Sequence, residues 1–211
     1  MTIAEKQPTL FGKVGQVAVV VSDLDAAMAR YLTRLGIGPW RVYTFAPPRV
    51  KRITLRGKPA EFAMRVAFAS VGDVIWELIE PLSGESLYTE FLRAHGEGLH
   101  HVGVYVADLD AELAKAEQAG YSVLQSGRDY GADGDGGFAY LSTDVDTGAI
   151  IELIQVPRNR LPPDFVPERM RPRFVFVAFL VAISVAPWES ILGRLSACGY
   201  FTPAPEKSEA T

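Results

Sequence analysis

Residues 17–27 read VAVVVSDLDAA, and residues 102–112 read VGVYVADLDAE. Seven of the eleven positions agree, at an offset of 85 residues. Each copy is a β-branched run, then a DLD cap, then a helical stretch. A second echo follows, with WELIEP at 76–81 and IELIQV at 151–156. A long repeat present twice points to two copies of one module rather than to a solenoid. Polar residues at matching points of the copies can then meet where the copies pack together.

Around the first copy the order is strand, helix, three strands. Val17–Val21 is the first strand, and Ser22 or Asp23 caps a helix with an apolar stripe of Leu24, Met28, Tyr31, Leu32 and Leu35, ended by Gly36. Trp40–Phe45, Phe62–Ala69 and Val74–Ile79 follow as strands, with residues 49–60 a basic, turn-rich loop. A short helix, Glu85–Ala94, leads to the second copy. There the strands are 100–106, 121–126, 138–142 and 149–155, the helix is 109–119, and Gly127–Gly137 is a loop. The expected organisation is α+β. Tandem βαβββ modules at 14–81 and 99–156 are joined by 82–98 and followed by a C-terminal arm at 157–211.

The strand period of two sorts the residues by face. Val17, Val19 and Val21 share the side a helix should cover. Gln16, Ala18 and Val20 share the other, where copy two carries His101, Gly103 and Tyr105. The same phase places Glu77 with Ile75 and Ile79, and Glu152 with Ile150 and Ile154. A buried, unpaired carboxylate costs several kcal/mol or shifts its pKa strongly. Glu77 and Glu152 therefore face solvent, pair with a cation such as Arg65, or serve a purpose. Their recurrence at one register favours a site of Gln16, Glu77, His101 and Glu152. One imidazole among oxygen donors suits one divalent ion: Zn, Ni, Co, Fe, Mn or Mg.

These openings, the paired strands and the stretch GEGLHHVGVYVADLD at 96–110 resemble the vicinal oxygen chelate superfamily. That group includes glyoxalase I, methylmalonyl-CoA epimerase, extradiol dioxygenases, and fosfomycin and bleomycin resistance proteins. The resemblance spans residues 14–156 and is greatest to the epimerase and glyoxalase I branch. It implies a cupped, barrel-like mixed sheet around one metal. It also implies ligands from the first and last strands of each module, here Gln16, Glu77, His101 and Glu152. Epimerases of this kind usually carry histidine where this chain has Gln16. A set of Gln, Glu, His and Glu is similar to that of some glyoxalase I enzymes. Extradiol dioxygenases use two histidines and a carboxylate, which this chain lacks at the matching places.

The implied chemistry is metal-dependent proton transfer next to a carbonyl of a small molecule, as in an epimerase, isomerase or lyase. An acyl-CoA thioester is one candidate substrate. The alternatives are a glyoxalase I-like lyase acting on a thiol hemithioacetal, and a non-catalytic binding protein of the resistance type. Glu152 is the first candidate base, and Glu61 the second, from its resemblance to a glutamate of the epimerase branch. Tyr105, Ala18, Gly103 and Arg65 are expected at the substrate. Arg49, Lys51, Arg52, Arg56 and Lys58 could meet a phosphate. His100, one residue out of phase with His101, is expected to point away from the cavity.

Composition narrows the setting. Charged residues make up 22% of the 211 and the net charge is −4, with no basic tract, so nucleic acid is a poor partner. The single cysteine, Cys198, and an N-terminus without an apolar signal region suggest a cytoplasmic protein. Residues 174–186, FVFVAFLVAISVA, carry no charge but are too short to span a membrane, so they are expected to cover a homodimer interface.

Overall fold

The computed structural model describes residues 12–167. In chain order the elements are β1 (Lys13–Val20), α1 (Leu24–Leu35), β2 (Arg41–Phe45), β3 (Lys51–Leu55), β4 (Lys58–Pro59), β5 (Ala63–Val71) and β6 (Val74–Ser83). Then follow α2 (Leu87–His95), β7 (Gly98–Tyr105), α3 (Leu109–Gln118), β8 (Val123–Tyr130), β9 (Gly136–Leu141), α4 (Asp144–Thr147) and β10 (Ile150–Gln155). The class is α+β, and the βαβββ order recurs. The DLD repeat works as a cap: Asp23 accepts from the Ala26 amide at 2.9 Å, and Asp108 from the Ala111 amide at 3.0 Å. Asp25 and Asp110 sit in the first turns, where the helix dipole favours an anion.

All ten strands join one mixed sheet, ordered β2-β5-β6-β1-β7-β10-β9-β8-β3-β4. The modules meet where β1 pairs antiparallel with β7, while β6 and β10 flank them in parallel. The sheet must curl. In a flat sheet, at about 4.8 Å per strand, β2 and β3 would lie roughly 38 Å apart. They are joined through residues 46–50, a link that reaches at most about 21 Å. The Phe45 ring of β2 and the Tyr130 ring of β8 meet across the seam, edge to face at 5.9 Å.

Residues 49–60 are therefore not the loop expected from sequence. They form a hairpin around Arg56-Gly57, both at positive φ, and β3 pairs with β8 of the other module. Ile53 is buried in the inner core, and Thr54 and Ser126 share a hydroxyl hydrogen bond of 2.7 Å. A basic composition hid the strand because its partner lies some 70 residues away. The expected loop at Gly127–Gly137 is likewise shorter, because β8 runs to Tyr130 and β9 begins at Gly136.

The two sheet faces have separate cores. Under α1, Val19, Val21, Leu24, Met28, Trp40 and Leu78 pack together, which is the helix side the strand phase assigned to the odd-numbered valines. Leu35 of the expected stripe is exposed instead, in the last turn of α1. Under α3, Leu109, Ala116, Leu141 and Leu153 do the same for the second module. The inner face gathers Ala18, Val20, Val66, Ile79, Phe138 and Tyr140, with Leu87 and Tyr88 of α2 packed against it. Among the described residues no helix is long and apolar enough to cross a membrane. The apolar segment 174–186, and with it the expected dimer contact, lies outside the described residues.

Leu78 is fully buried between β6 and α1, so Leu78→Ala should cost about 3 kcal/mol. Asp23→Ala removes only the cap of α1 and should cost about 1 kcal/mol. Urea unfolding of both variants checks this ordering.

Candidate metal centre

The register at the junction assembles the four sequence-predicted donors. One row across the sheet reads Glu77, Ala18, His101, Ile150, and the next reads Ile75, Gln16, Gly103, Glu152. The donors alternate between the rows, and the gaps hold the two small residues, Ala18 and Gly103. A Cβ added to Gly103 would lie 2.8 Å from the Gln16 Cβ and 2.8 Å from the Ile154 Cδ1. Glycine there lets the Gln16 and Ile154 side chains close over the strand, so Gly103 and the buried Ala18, expected at the substrate, lie beneath the cavity rather than in its wall.

All four donors are buried. The Gln16 Nε2 donates to Glu77 Oε2 at 2.5 Å. His101 Nε2 lies 3.5 Å from Glu77 Oε2 and 3.0 Å from Glu152 Oε2. The latter contact lacks hydrogen-bond geometry, so His101 Nε2 and Glu152 Oε2 both remain without a partner. Buried polar atoms are rarely left so. Ligand atoms of Glu77, His101 and Glu152 all fall within 4.8 Å of one another, a spacing that can hold a divalent cation. A half-turn of the Gln16 amide would offer its oxygen to the same point.

Electrostatics favour a cation here. Burial pushes the Glu77 carboxyl above the usual range, and the nearby Glu152 charge adds to this, against the opposing His101 and Gln16. Burial also works against a charged imidazole at His101. The Glu152 and Glu77 carboxylates outweigh it and push its pKa up to about 9.

His100 corrects a sequence expectation. The pairing steps from Ala18↔His101 to Val19↔Leu99, so His100 is the extra residue of a β-bulge. The bulge turns its ring inward among Tyr88, Phe91 and Tyr140. Its Nδ1 lies 2.9 Å from the Nδ1 of His101. Burial, helped by the His101 charge, lowers its pKa to about 3, so the ring is neutral. The contact occupies the second nitrogen of His101 and leaves Nε2 aimed at Glu152, so that the ring's orientation is set from behind, here by a second histidine.

A cavity of about 990 Å³, counting its open mouth, stands over this floor. It is lined by Gln16, Glu77 and Glu152, by rings including Tyr43, Phe68 and Tyr140, and by Tyr105 as its sequence phase implied. Gly15 makes room for Tyr105, because a Cβ at that bulge would fall 2.2 Å from the ring. Two other expectations fail. Arg65 lies on the helix side, bound to Glu80 at 3.1 Å and Asp25 at 3.0 Å, because it is one residue out of phase with Met64 and Val66. Glu61 is exposed just before β5 and is not part of the cavity wall. The structure brings Arg49 of the basic stretch into the wall and adds Arg160 and Leu161, which no strand phase could indicate.

A model of the Glyoxalase/Bleomycin resistance protein/Dioxygenase superfamily matches residues 15–140. The chain belongs to that superfamily. It is 30% identical over 149 residues to the ethylmalonyl-CoA/methylmalonyl-CoA epimerase of Cereibacter sphaeroides, covering 70% of this chain and 100% of that protein. The mitochondrial methylmalonyl-CoA epimerase of Bos taurus is 26% identical over 148 residues, covering 68% of this chain and 74% of that one. The crystal structure of methylmalonyl-CoA epimerase from Mycobacterium tuberculosis shares the fold. Its TM-score is 0.52 at 22% identity, over 73% of this superfamily member and 95% of that chain.

Two predictions follow from the donor floor. Binding a divalent ion must displace the His101 proton, so affinity should climb roughly tenfold per pH unit from pH 7 and level off near 9, read by chelator competition. Gly103→Val should push Gln16 and Ile154 apart and lower metal affinity at least about tenfold while the outer cores keep the chain folded, checked by metal titration beside circular dichroism.

Proposed function

We propose that this chain is a divalent-metal-dependent epimerase or isomerase that removes a proton from the carbon beside a carbonyl and returns it. The observation that carries this is the His101–Glu152 pair, buried, 3.0 Å apart and unbonded, beside Glu77 on the floor of a cavity. Gln16, Glu77, His101 and Glu152 would hold the ion. A bound divalent ion supplies polarisation of a carbonyl oxygen and so acidifies the neighbouring carbon.

The remaining work falls to the chain. Glu152 is the base: it lines the cavity and keeps an unpartnered oxygen. The cavity keeps an open mouth, so solvent can supply a proton to the face of the carbon opposite Glu152, which inverts the centre. Tyr105 keeps its proton, since burial pushes its phenol up, and it can orient a substrate oxygen by donating to it. Glu61 has no part, being outside the cavity wall.

Membership of the superfamily and likeness to two proteins named as methylmalonyl-CoA epimerases support the enzyme class and a CoA thioester as its substrate. The basic residues read as phosphate ligands support the thioester less. Arg49 pairs with Asp164, Arg52 with Asp129, and Arg56 with Glu90.

Purified protein should hold about one divalent ion per chain. Glu152→Ala should lose most of it while remaining folded; full occupancy in that variant would remove Glu152 from the site. With metal bound, deuterium from solvent should enter the carbon beside the carbonyl of at least one CoA thioester in a panel that runs from methylmalonyl-CoA to arylacetyl-CoA. A metal-loaded protein that leaves every CoA thioester unlabelled would set aside the thioester alone.

A further inference from the structure

Beyond β10 the chain crosses the mouth of the cavity. Its near end is tied to the loop after β8. Ala132 donates from its amide to the Asn159 carbonyl at 2.9 Å, Asn159 Nδ2 donates to Asp133 at 2.6 Å, and Arg158 Nε donates to Asp135 at 2.7 Å. Its far end is tied to β2, the edge strand of the other module. Asp164 Oδ2 accepts from the Thr44 amide at 2.7 Å, and Val42 and Phe165 pair as a bridge. Between these anchors, Pro162 and Pro163 stiffen the crossing. The strap thereby places Pro157, Arg160 and Leu161 in the wall of the cavity that has Glu77 and Glu152 on its floor.

The charges on this wall are uneven. Of the two lining cations, Arg49 is held by Asp164 at 2.6 Å and also donates to the Thr44 carbonyl at 3.3 Å. Arg160 has no carboxylate partner among the described residues, and it lies beside the Tyr105 phenol. A divalent ion and two carboxylates would leave the floor near neutral, so Arg160 is the group with charge to offer an incoming ligand. The walls between are ring-rich. Seven of the nineteen lining residues are aromatic, against 10% of the whole chain, which suits a flat apolar body better than a short aliphatic one.

We propose that the strap is a specificity element whose Arg160 receives an oxyanion of the substrate, and that the part of the substrate inside the cup is aromatic. The inference rests on the metal-dependent reading above. The oxyanion is either a carboxylate on the aromatic body or a phosphate of a thioester carrier.

Hydroxamates present two neighbouring oxygens to a divalent ion and make suitable probes. Acetohydroxamate, benzohydroxamate, and the 3- and 4-carboxybenzohydroxamates would be titrated by calorimetry into metal-loaded wild type, Arg160→Gln and Arg160→Lys. Benzohydroxamate should bind wild type about tenfold more tightly than acetohydroxamate. One carboxylated isomer should gain about a further tenfold over benzohydroxamate. That ratio should fall to near one in Arg160→Gln and recover in part in Arg160→Lys. Because each protein supplies its own ratio, a general loosening of the strap does not mimic the result.

Coenzyme A titrated into the same proteins separates the two sources of the oxyanion. Arg160-dependent binding of coenzyme A without a carboxylate gain assigns a carrier phosphate; the converse assigns a carboxylate on the body. A carboxylate ratio equal in all three proteins, with coenzyme A binding equally indifferent to Arg160, overturns the receptor. A benzohydroxamate no tighter than acetohydroxamate overturns the aromatic body. Both of those outcomes leave the metal reading intact, whereas a protein that takes up no divalent ion overturns that reading and this inference together.

Discussion

The antiparallel pairing of β1 with β7 is the constraint on which the donor cluster depends. It sets His101 opposite Ala18 and Gln16 opposite Gly103, and the flanking parallel strands then bring in Glu77 and Glu152. A slip of one residue in β1 would turn Gln16 to the helix side and Val17, Val19 and Val21 to the cavity. Such a slip is opposed on both faces. Val19 and Val21 are buried under α1, while Ala18 and Val20 are buried in the inner core. The two modules therefore hold each other in register through packing that has nothing to do with chemistry.

The cluster itself works against stability. Two buried carboxylates and an imidazole are held close, with His101 Nε2 and Glu152 Oε2 unpaired. Groups so placed cost several kcal/mol compared with an apolar floor. The surrounding structure tolerates this because the side chains packed around the donors are themselves tied together. Tyr88 and Tyr140 share a hydroxyl hydrogen bond of 2.8 Å beneath His100, and Gln125 Oε1 accepts from the Leu87 amide at 2.8 Å to hold α2 in place. A cation at the centre would give the unpaired atoms the partner they lack. Strain at a site, offset by order around it, is the usual mark of function.

The modules are also interlocked beyond their seam. The β3–β4 hairpin leaves the first module to pair with β8 of the second. The strap leaves the second module to bridge β2 of the first. These crossings close the curl from both sides and turn an open sheet into a cavity with aromatic walls. The floor carries the chemistry that the repeat encodes, and the rim carries residues the repeat does not contain. Relatives that share the floor can thus differ in what they admit.

The sequence by itself determined the repeat and the two strand–helix units, and it singled out Gln16, Glu77, His101 and Glu152 as one buried polar cluster. Local rules suffice there: a period of two sorts faces, a DLD cap starts a helix, and a polar residue recurring at one register in two copies stands out. Tertiary structure alone decided what depends on contacts distant in sequence. The β-bulge that turns His100 toward His101 lies where β7 pairs with β1, and simple alternation pointed the ring the wrong way. Glu61 stands out by resemblance and Arg65 by residue type, yet one is exposed before β5 and the other faces α1. Arg160 sits in a proline-rich stretch without periodicity, so only the closing of the strap across the cup could place it in the wall. Periodicity is a property of one strand, whereas a cavity is a property of how strands from both modules curl together.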